Sequence, residues 1–216
     1  MSDSVKRAYR SNIRAAAARR TRHAIRDAAS ALFVENGYVM TTVRDIAESA
    51  GVSVRTVFNS YPGGKTQVFD EALDHALGGD DARTPLSERP ISRLPSEAAD
   101  GSQSLQLLAE GATELYERAG DLITVYLESA GADPHMRHHA DLGAAETSKF
   151  MRNVARSLQT NGFLREGLTA RRAGDVMLAL CSPQVHNLLC RNLSWTSRAY
   201  RRWLTEELHR AVLRDV

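Results

Sequence analysis

The chain has only two cysteines, Cys181 and Cys190, in 216 residues. Two thiols cannot build a disulfide framework, so a reducing, cytoplasmic setting is expected. No apolar run approaches the roughly 20 residues that a membrane-spanning helix needs. Arginines near the start are not followed by an apolar stretch, which argues against a secretory signal. Phosphate-cradling glycine loops, HExxH pairs and nucleophile elbows are missing, and no catalytic set emerges, so an enzyme is not expected. Alternation of the β type and internal repeats are also lacking, which leaves an all-α fold.

What is present suits a folded helical protein. Hydrophobic residues make up 43% and charged residues 25%, ordinary values for a chain long enough for one or two cored domains. The net charge of +2 hides an asymmetry. Residues 1–65 hold eleven lysines and arginines against five acids, a surplus of +6 that leaves −4 for the remainder. A basic third is what a phosphate-binding module needs, because counterion release drives sequence-independent affinity for DNA. A solvated basic face is the alternative, and the motif within this third decides between them.

That motif runs from Thr41 to Lys65, TTVRDIAESAGVSVRTVFNSYPGGK. Thr42 is placed to cap a helix, with Asp45 three residues on to reach back. Val43, Ile46, Ala47 and Ala50 supply an apolar face, and Gly51 ends the helix. Ser53 caps a second short helix in which Val54, Val57, Phe58 and Tyr61 recur. Helix, glycine turn, helix is the helix-turn-helix arrangement, whose second helix enters the major groove.

Before it, residues 1–20 read as a basic arm, either reaching a minor groove or forming a solubilising tail. A first helix follows from about Thr21 to Asn36, with Ile25, Ala28, Ala29, Leu32 and Phe33 on one face and Gly37 as its stop. After Lys65 a connecting helix spans 66–78. Residues 79–101, with Pro85, Pro90 and Pro95, read as a loop carrying at most a short turn near Ile91–Leu94. The body, 102–216, is helical. Gly120-Asp121 is expected to break its first helix, Asp133-Pro134 and Thr169 to open later ones, and Pro183 to kink or break another. Tyr200, Trp203, Leu204, Leu208, Ala211 and Val212 give a final amphipathic helix.

The segment TTVRDIAESAGVSVRTVFNSY resembles the DNA-reading motif of the TetR (tetracycline-repressor-like) transcriptional regulators, and the likeness extends loosely over the body. The resemblance implies a three-helix DNA-binding head, a connecting helix that couples it to the body, and a helical ligand-binding and dimerisation bundle. It implies that Val54, Arg55 and Asn59 face bases, while Thr42, Ser53, Thr56, Phe58, Ser60, Tyr61 and Lys65 meet the sugar-phosphate backbone. Arg suits guanine, Asn adenine and Val methyls a thymine methyl, whereas hydroxyls and Lys suit phosphates. The spacing departs from the family at Tyr61-Pro62-Gly63-Gly64-Lys65, one residue longer than usual, with Gly64 as the expected cap of the connecting helix.

In the body, Tyr116, Tyr126, Glu128, Phe150, Met177 and His186 are candidate pocket residues, each also compatible with ordinary core or surface. Val185, Leu188, Leu189, Trp203, Leu204 and Leu208 are candidates for a dimer interface. The reading is a homodimeric regulator, most simply a repressor that a small-molecule effector releases from a palindromic operator. A small-molecule binder with a vestigial head is the alternative, as is a metal- or thiol-responsive sensor. For the last, His135, His138 and His139 cluster in DPHMRHH, and Cys181, His186 and Cys190 lie close in sequence. A solvated helix start and buried packing are the favoured explanations of these groups, so neither a metal site nor a cofactor is assigned.

Overall fold

The computed structural model describes residues 3–79 and 94–214, with side chains described over 13–79 and 95–214. These residues form α1 (Asp3–Met40), α2 (Val43–Ser49), α3 (Val54–Ser60) and α4 (Gly64–Gly78). Then come α5 (Leu94–Glu97), α6 (Gly101–Ser129), α7 (Pro134–Thr160), α8 (Ala170–Leu180), α9 (Pro183–His186) and α10 (Ser197–Val212), with a π-helical turn Asn187–Asn192 between the last two. No strand occurs among the described residues, only one isolated bridge from Leu164 to Leu213.

The caps form as local chemistry dictates. Thr42 accepts from the Asp45 N–H at 3.2 Å while the Asp45 carboxylate accepts the Thr42 N–H at 2.8 Å, a reciprocal capping box. Ser53 and Thr169 cap α3 and α8, and Asp133 caps α7 with Pro134 in its first turn. Gly37 has φ 78° and ψ 161°, so regular α1 stops there as expected and Tyr38–Met40 form a separate turn. The helix begins at Asp3, well before the expected Thr21, and takes in most of the basic arm. Most of the expected loop 79–101 lies outside the described residues; its described end is α5, one turn later than Ile91–Leu94. That turn is tied down, because Ser104 donates to the Pro95 carbonyl at 2.6 Å and Ser157 to that of Ser96 at 2.8 Å.

One boundary inside the body differs from the sequence pattern, and one stands as expected. Gly120-Asp121 does not interrupt α6. A mid-helix glycine costs only about 1 kcal/mol, and the turns around it bury Tyr116, Ala119, Leu122 and Ile123 in the core. Pro183 breaks rather than kinks, opening α9 under the Ser182 cap.

The core of the head is aromatic. Phe33 packs edge-on against Phe69 at 5.3 Å between centroids and lies 5.6 Å from Tyr38. Tyr38 and Phe69 meet edge-on at 5.4 Å. Ile25, Ala29, Ile46, Ala47, Val57 and Val68 fill the space around them. This cluster sets α1 and α4 against the motif helices, and α1 and α4 both pack on α6. In the body, Leu105, Leu108, Ala119, Met151, Leu158, Met177, Leu204 and Leu208 form a second packed region, continuous with the first. Truncating the shared ring, Phe69→Ala, is expected to cost about 3–5 kcal/mol, read as a lowered urea midpoint. A loss below about 1 kcal/mol would contradict a central role for the ring.

Candidate nucleic-acid interface

The two faces of α3 have opposite fates. Val57 and Tyr61, one turn apart, are fully buried. Val54, Arg55, Phe58 and Asn59 are exposed, with Val54 at 40% and Phe58 at 47%. A turn of helix thus presents a guanidinium, a carboxamide and two apolar groups to solvent. The rim carries hydroxyls. Ser53 is exposed, Thr56 and Ser60 are half-buried, and Ser53 Oγ lies 2.8 Å from Thr56 Oγ1. Thr42 is exposed at the start of α2, where its hydroxyl donates to Asp45 at 2.7 Å. Thr42's hydroxyl and N–H hold the Asp45 carboxyl below its ordinary value.

Tyr61 does not reach this surface, which corrects its expected place at the sugar-phosphate backbone. Its ring is covered by Arg22, whose guanidinium carbon is 4.1 Å from the ring centroid. Its hydroxyl is 2.8 Å from Glu71 Oε1 and 3.0 Å from the Arg22 carbonyl. Burial and the Glu71 carboxylate push the phenol well above its ordinary pKa. Arg22 is bound to the same carboxylate through Nε at 2.8 and 2.9 Å, and it also reaches the Ser60 carbonyl at the end of α3.

The extra residue before Lys65 has a geometric cause. Gly64 has φ +62°, and a Cβ there would stand 3.2 Å from Phe58 Cε1. The turn from Tyr61 into α4 therefore needs a residue without a side chain beneath Phe58. Gly63, rather than the expected Gly64, is the cap residue of α4, and its N–H is satisfied by Gln67 Oε1 at 2.9 Å. Lys65 then turns inward. Its ammonium donates to the Tyr38 carbonyl at 2.9 Å and lies 4.2 Å from the Tyr38 ring centroid. Burial lowers its pKa, with Asp133 opposing.

The candidate pocket residues of the body do not share one environment. Tyr116 and His186 stack at 4.5 Å between centroids, and Met177 is fully buried. Tyr126 and Phe150 are half-buried, while Glu128 is exposed, a correction to its expected role in a pocket. Tyr200, read from sequence only as core, completes the cluster by meeting His186 edge-on at 5.0 Å. Tyr116 donates to the Cys181 carbonyl at 2.6 Å, whereas Tyr200 Oη and His186 Nδ1 are buried with no hydrogen-bond partner among the described residues. Of the dimer candidates, Leu204 and Leu208 are fully buried in this chain's own core, which corrects their assignment. Val185, Leu189 and Trp203 are half-buried and Leu188 is 52% exposed.

The sulfur and histidine groups separate too. Cys181 is buried and its thiol is pushed up to about 12, so the thiolate needed for redox or metal chemistry is suppressed. Burial also raises Cys190. His138 is exposed, but His135 and His139 both turn to Asp70 of α4, with Nε2 to Oδ1 distances of 2.7 and 2.9 Å. Burial pushes the Asp70 carboxyl up, yet the hydrogen bonds from His139 and His135 outweigh it and its pKa is lowered.

A helix-turn-helix with an outward polar face, set on a basic head and joined to a helical body, defines a DNA-binding regulator. Residues 25–72 match the model of the bacterial regulatory proteins of the tetR family, a span that takes in the second half of α1, the helix-turn-helix and most of α4. The head is thus similar to the DNA-binding head of that family. Solved structures share the whole fold. NalD, the secondary repressor of the MexAB-OprM multidrug efflux pump in Pseudomonas aeruginosa, is 23% identical with a TM-score of 0.71, covering 92% of this chain and 100% of its own. A transcriptional regulator from Saccharomonospora viridis in complex with choline is 18% identical with a TM-score of 0.69, covering 90% and 98%. The ketosteroid regulator KstR2 of Mycobacterium tuberculosis is 18% identical with a TM-score of 0.64, covering 90% and 95%. No curated protein sequence matches the chain.

His186 yields a pH test. Burial lowers its pKa from 6.5, with Asn187 and Glu117 opposing, and the groups around it are the phenols of Tyr116 and Tyr200 and the Cys181 segment. The unfolded chain takes up the proton more readily, so stability is complete above about pH 6.5 and falls as the pH drops below it. His186→Phe keeps the ring and removes the titration. Melting temperatures between pH 8 and 5 are expected to fall more steeply for the wild type than for this variant. Parallel curves would refute the assignment.

Proposed function

We propose that the chain binds a near-palindromic DNA duplex as a two-fold dimer, reads it with Val54, Arg55 and Asn59, and releases it when a small molecule occupies the body. The observation that carries the reading is the outward face of α3: Arg55 and Asn59 are both exposed beside Val54, on a helix whose opposite face is locked into the core. Arg is suited to the acceptor pair of guanine and Asn to adenine. Ser53, Thr56, Ser60 and Thr42 form the hydroxyl rim for phosphates, and Phe58 abuts the backbone from the Gly64 turn. Lys65, expected at the phosphates, has its ammonium held inward on Tyr38.

A selection of bound fragments from random DNA by the full-length protein tests this. A two-fold symmetric site is expected, with affinity falling steeply as salt rises. Arg55→Ala should cost about 1–3 kcal/mol at one symmetric pair of positions and relax the preference there. Binding without sequence preference, or equal losses at every operator position, would overturn the reading.

Two half-sites one turn apart, ~34–36 Å, require two heads at fixed spacing. Val185, Leu188, Leu189 and Trp203 support a dimer face, because they lie on α9, the π turn and α10 with apolar surface left uncovered by their own chain. Leu193, 58% exposed, and Trp195, 6.1 Å from Trp203, extend it. Leu188→Glu places a charge in this face. Sedimentation is expected to show a monomer that keeps its helical spectrum and loses the operator. A dimer of unchanged strength would exclude this surface.

For the effector, the aromatic group Tyr116, His186 and Tyr200 is the favoured place. Buried unpaired polar atoms cost roughly 1–3 kcal/mol each, and Tyr200 Oη and His186 Nδ1 belong to two rings in edge-on contact. A small molecule with a polar group beside an apolar or cationic part suits these rings. The choline bound by the Saccharomonospora viridis regulator has this kind of chemistry. Release follows only if the ligand binds the non-DNA-binding geometry more tightly.

A further inference from the structure

Three ligand atoms from two helices converge at one point between head and body. Asp70 lies on α4, and His135 and His139 lie one turn apart at the start of α7. His135 Nε2 is 2.7 Å and His139 Nε2 is 2.9 Å from Asp70 Oδ1, and the two nitrogens are 3.2 Å from each other. We propose that Asp70, His135 and His139 form a binding site for a divalent transition-metal ion that clamps α4 to α7.

The geometry accepts an ion with little rearrangement. Imidazole nitrogen binds zinc at about 2.0–2.1 Å and carboxylate oxygen at about 2.0–2.2 Å. An ion held at those distances above the observed triangle meets all three atoms, with ligand–metal–ligand angles of about 80–105°. This is a facial two-histidine, one-carboxylate arrangement with positions left for water. Side-chain exposures of 30% for His135, 17% for His139 and 40% for Asp70 leave one side of the triangle open to solvent for entry and for those waters. The donor set selects the ion class. Two imidazoles and one carboxylate suit zinc, cobalt or nickel, whereas magnesium and calcium require mostly oxygen ligands.

The surrounding side chains hold the rings in place. The His139 ring stands 5.6 Å from Phe69 and 6.1 Å from Tyr126, and edge-on to His135 at 4.7 Å. Asp133 caps the helix through the N–H groups of His135 and Met136, so the first turn of α7 is fixed. His138 points elsewhere and is exposed. The ion replaces hydrogen bonds that a proton now makes, and adds a bond from each helix to the same centre.

Full-length protein stripped with a chelator and titrated with Co²⁺ tests the site. Visible d–d absorption is expected to saturate at one ion per chain and to be displaced by Zn²⁺, with zinc raising the melting temperature. His135→Gln, His139→Gln and Asp70→Asn should each weaken binding by roughly tenfold or more, while His138→Gln leaves it unchanged. Variants are read against their own helical circular dichroism, and the wild-type titration stands without them. No saturable band up to millimolar Co²⁺, or equal loss from His138→Gln, would overturn the proposal. The readout uses no DNA, so its failure leaves the operator reading standing.

Discussion

Glu71 is the group on which the head hangs. One carboxylate on α4 takes the guanidinium of Arg22 from α1 and faces the hydroxyl of Tyr61 at the end of α3. Arg22 closes the arrangement by covering the Tyr61 ring and by reaching the last carbonyl of α3. An exposed pair of this kind would contribute little. Here the side chains are 28% and 19% exposed, so the charges are screened less and each loses more if its partner goes. The hydrogen bond to Glu71 raises the pKa of Arg22. Three helices that make up the head are thereby fixed at one point, and the direction in which Arg55 and Asn59 leave α3 follows from it.

The aromatic cluster does for volume what Glu71 does for charge. Phe33, Tyr38 and Phe69 touch pairwise, so α1, the turn after Gly37 and α4 cannot shift independently without opening a void. Gly64 belongs to the same constraint from outside. It brings the start of α4 close under Phe58, at a backbone conformation that side chains avoid. The helix α3 is short, only Val54–Ser60, and a helix of that length is not stable alone. Its order is lent by Val57 and Tyr61 beneath it.

The parts that sequence made legible are those decided within one turn of chain. Thr42 with Asp45, Ser53 with Thr56, Asp133 with Pro134, Thr169, Gly37 and Gly51 each carry their own geometry, and each stands as expected. The all-α class followed from spacing, but of the apolar recurrence Val54, Val57, Phe58 and Tyr61 only Val57 and Tyr61 are buried, and the outward place of Arg55 and Asn59 came with the resemblance. What was illegible depends on partners far away in the chain. Tyr61 reads equally well as a phosphate contact until Glu71 and Arg22 are seen to claim it. Leu204 and Leu208 read as interface until α10 is seen to spend that stripe on its own bundle. Gly120 signals a break, but Ala119, Leu122 and Ile123 on either side of it are buried in the core and α6 runs on. Asp70 carries no local mark at all, and its histidines lie 65 and 69 residues on.

Two of these long-range pairings, those of Tyr61 and of Asp70, share one element. On α4, Glu71 is committed to the head, while Lys65 and Thr66 are committed to Tyr38, the ammonium at its carbonyl and the Thr66 hydroxyl 3.2 Å from its phenol. Asp70 faces α7, and Ala72 and Ala76 line a cavity of about 290 Å³ shared with Arg26 of α1 and Arg118 of α6. Arg118 also donates to the Leu77 carbonyl at 3.3 Å, close to the helix end at Gly79. Each face of one fifteen-residue helix therefore has a different owner. Packed elements move between discrete arrangements rather than deform continuously. A displacement of α4 along its axis would have to exchange the Asp70 and Arg118 contacts while keeping those to Glu71, Phe69 and Tyr38. The head is joined to α4 through Glu71, Phe69 and Tyr38, so it cannot leave that helix without breaking those contacts.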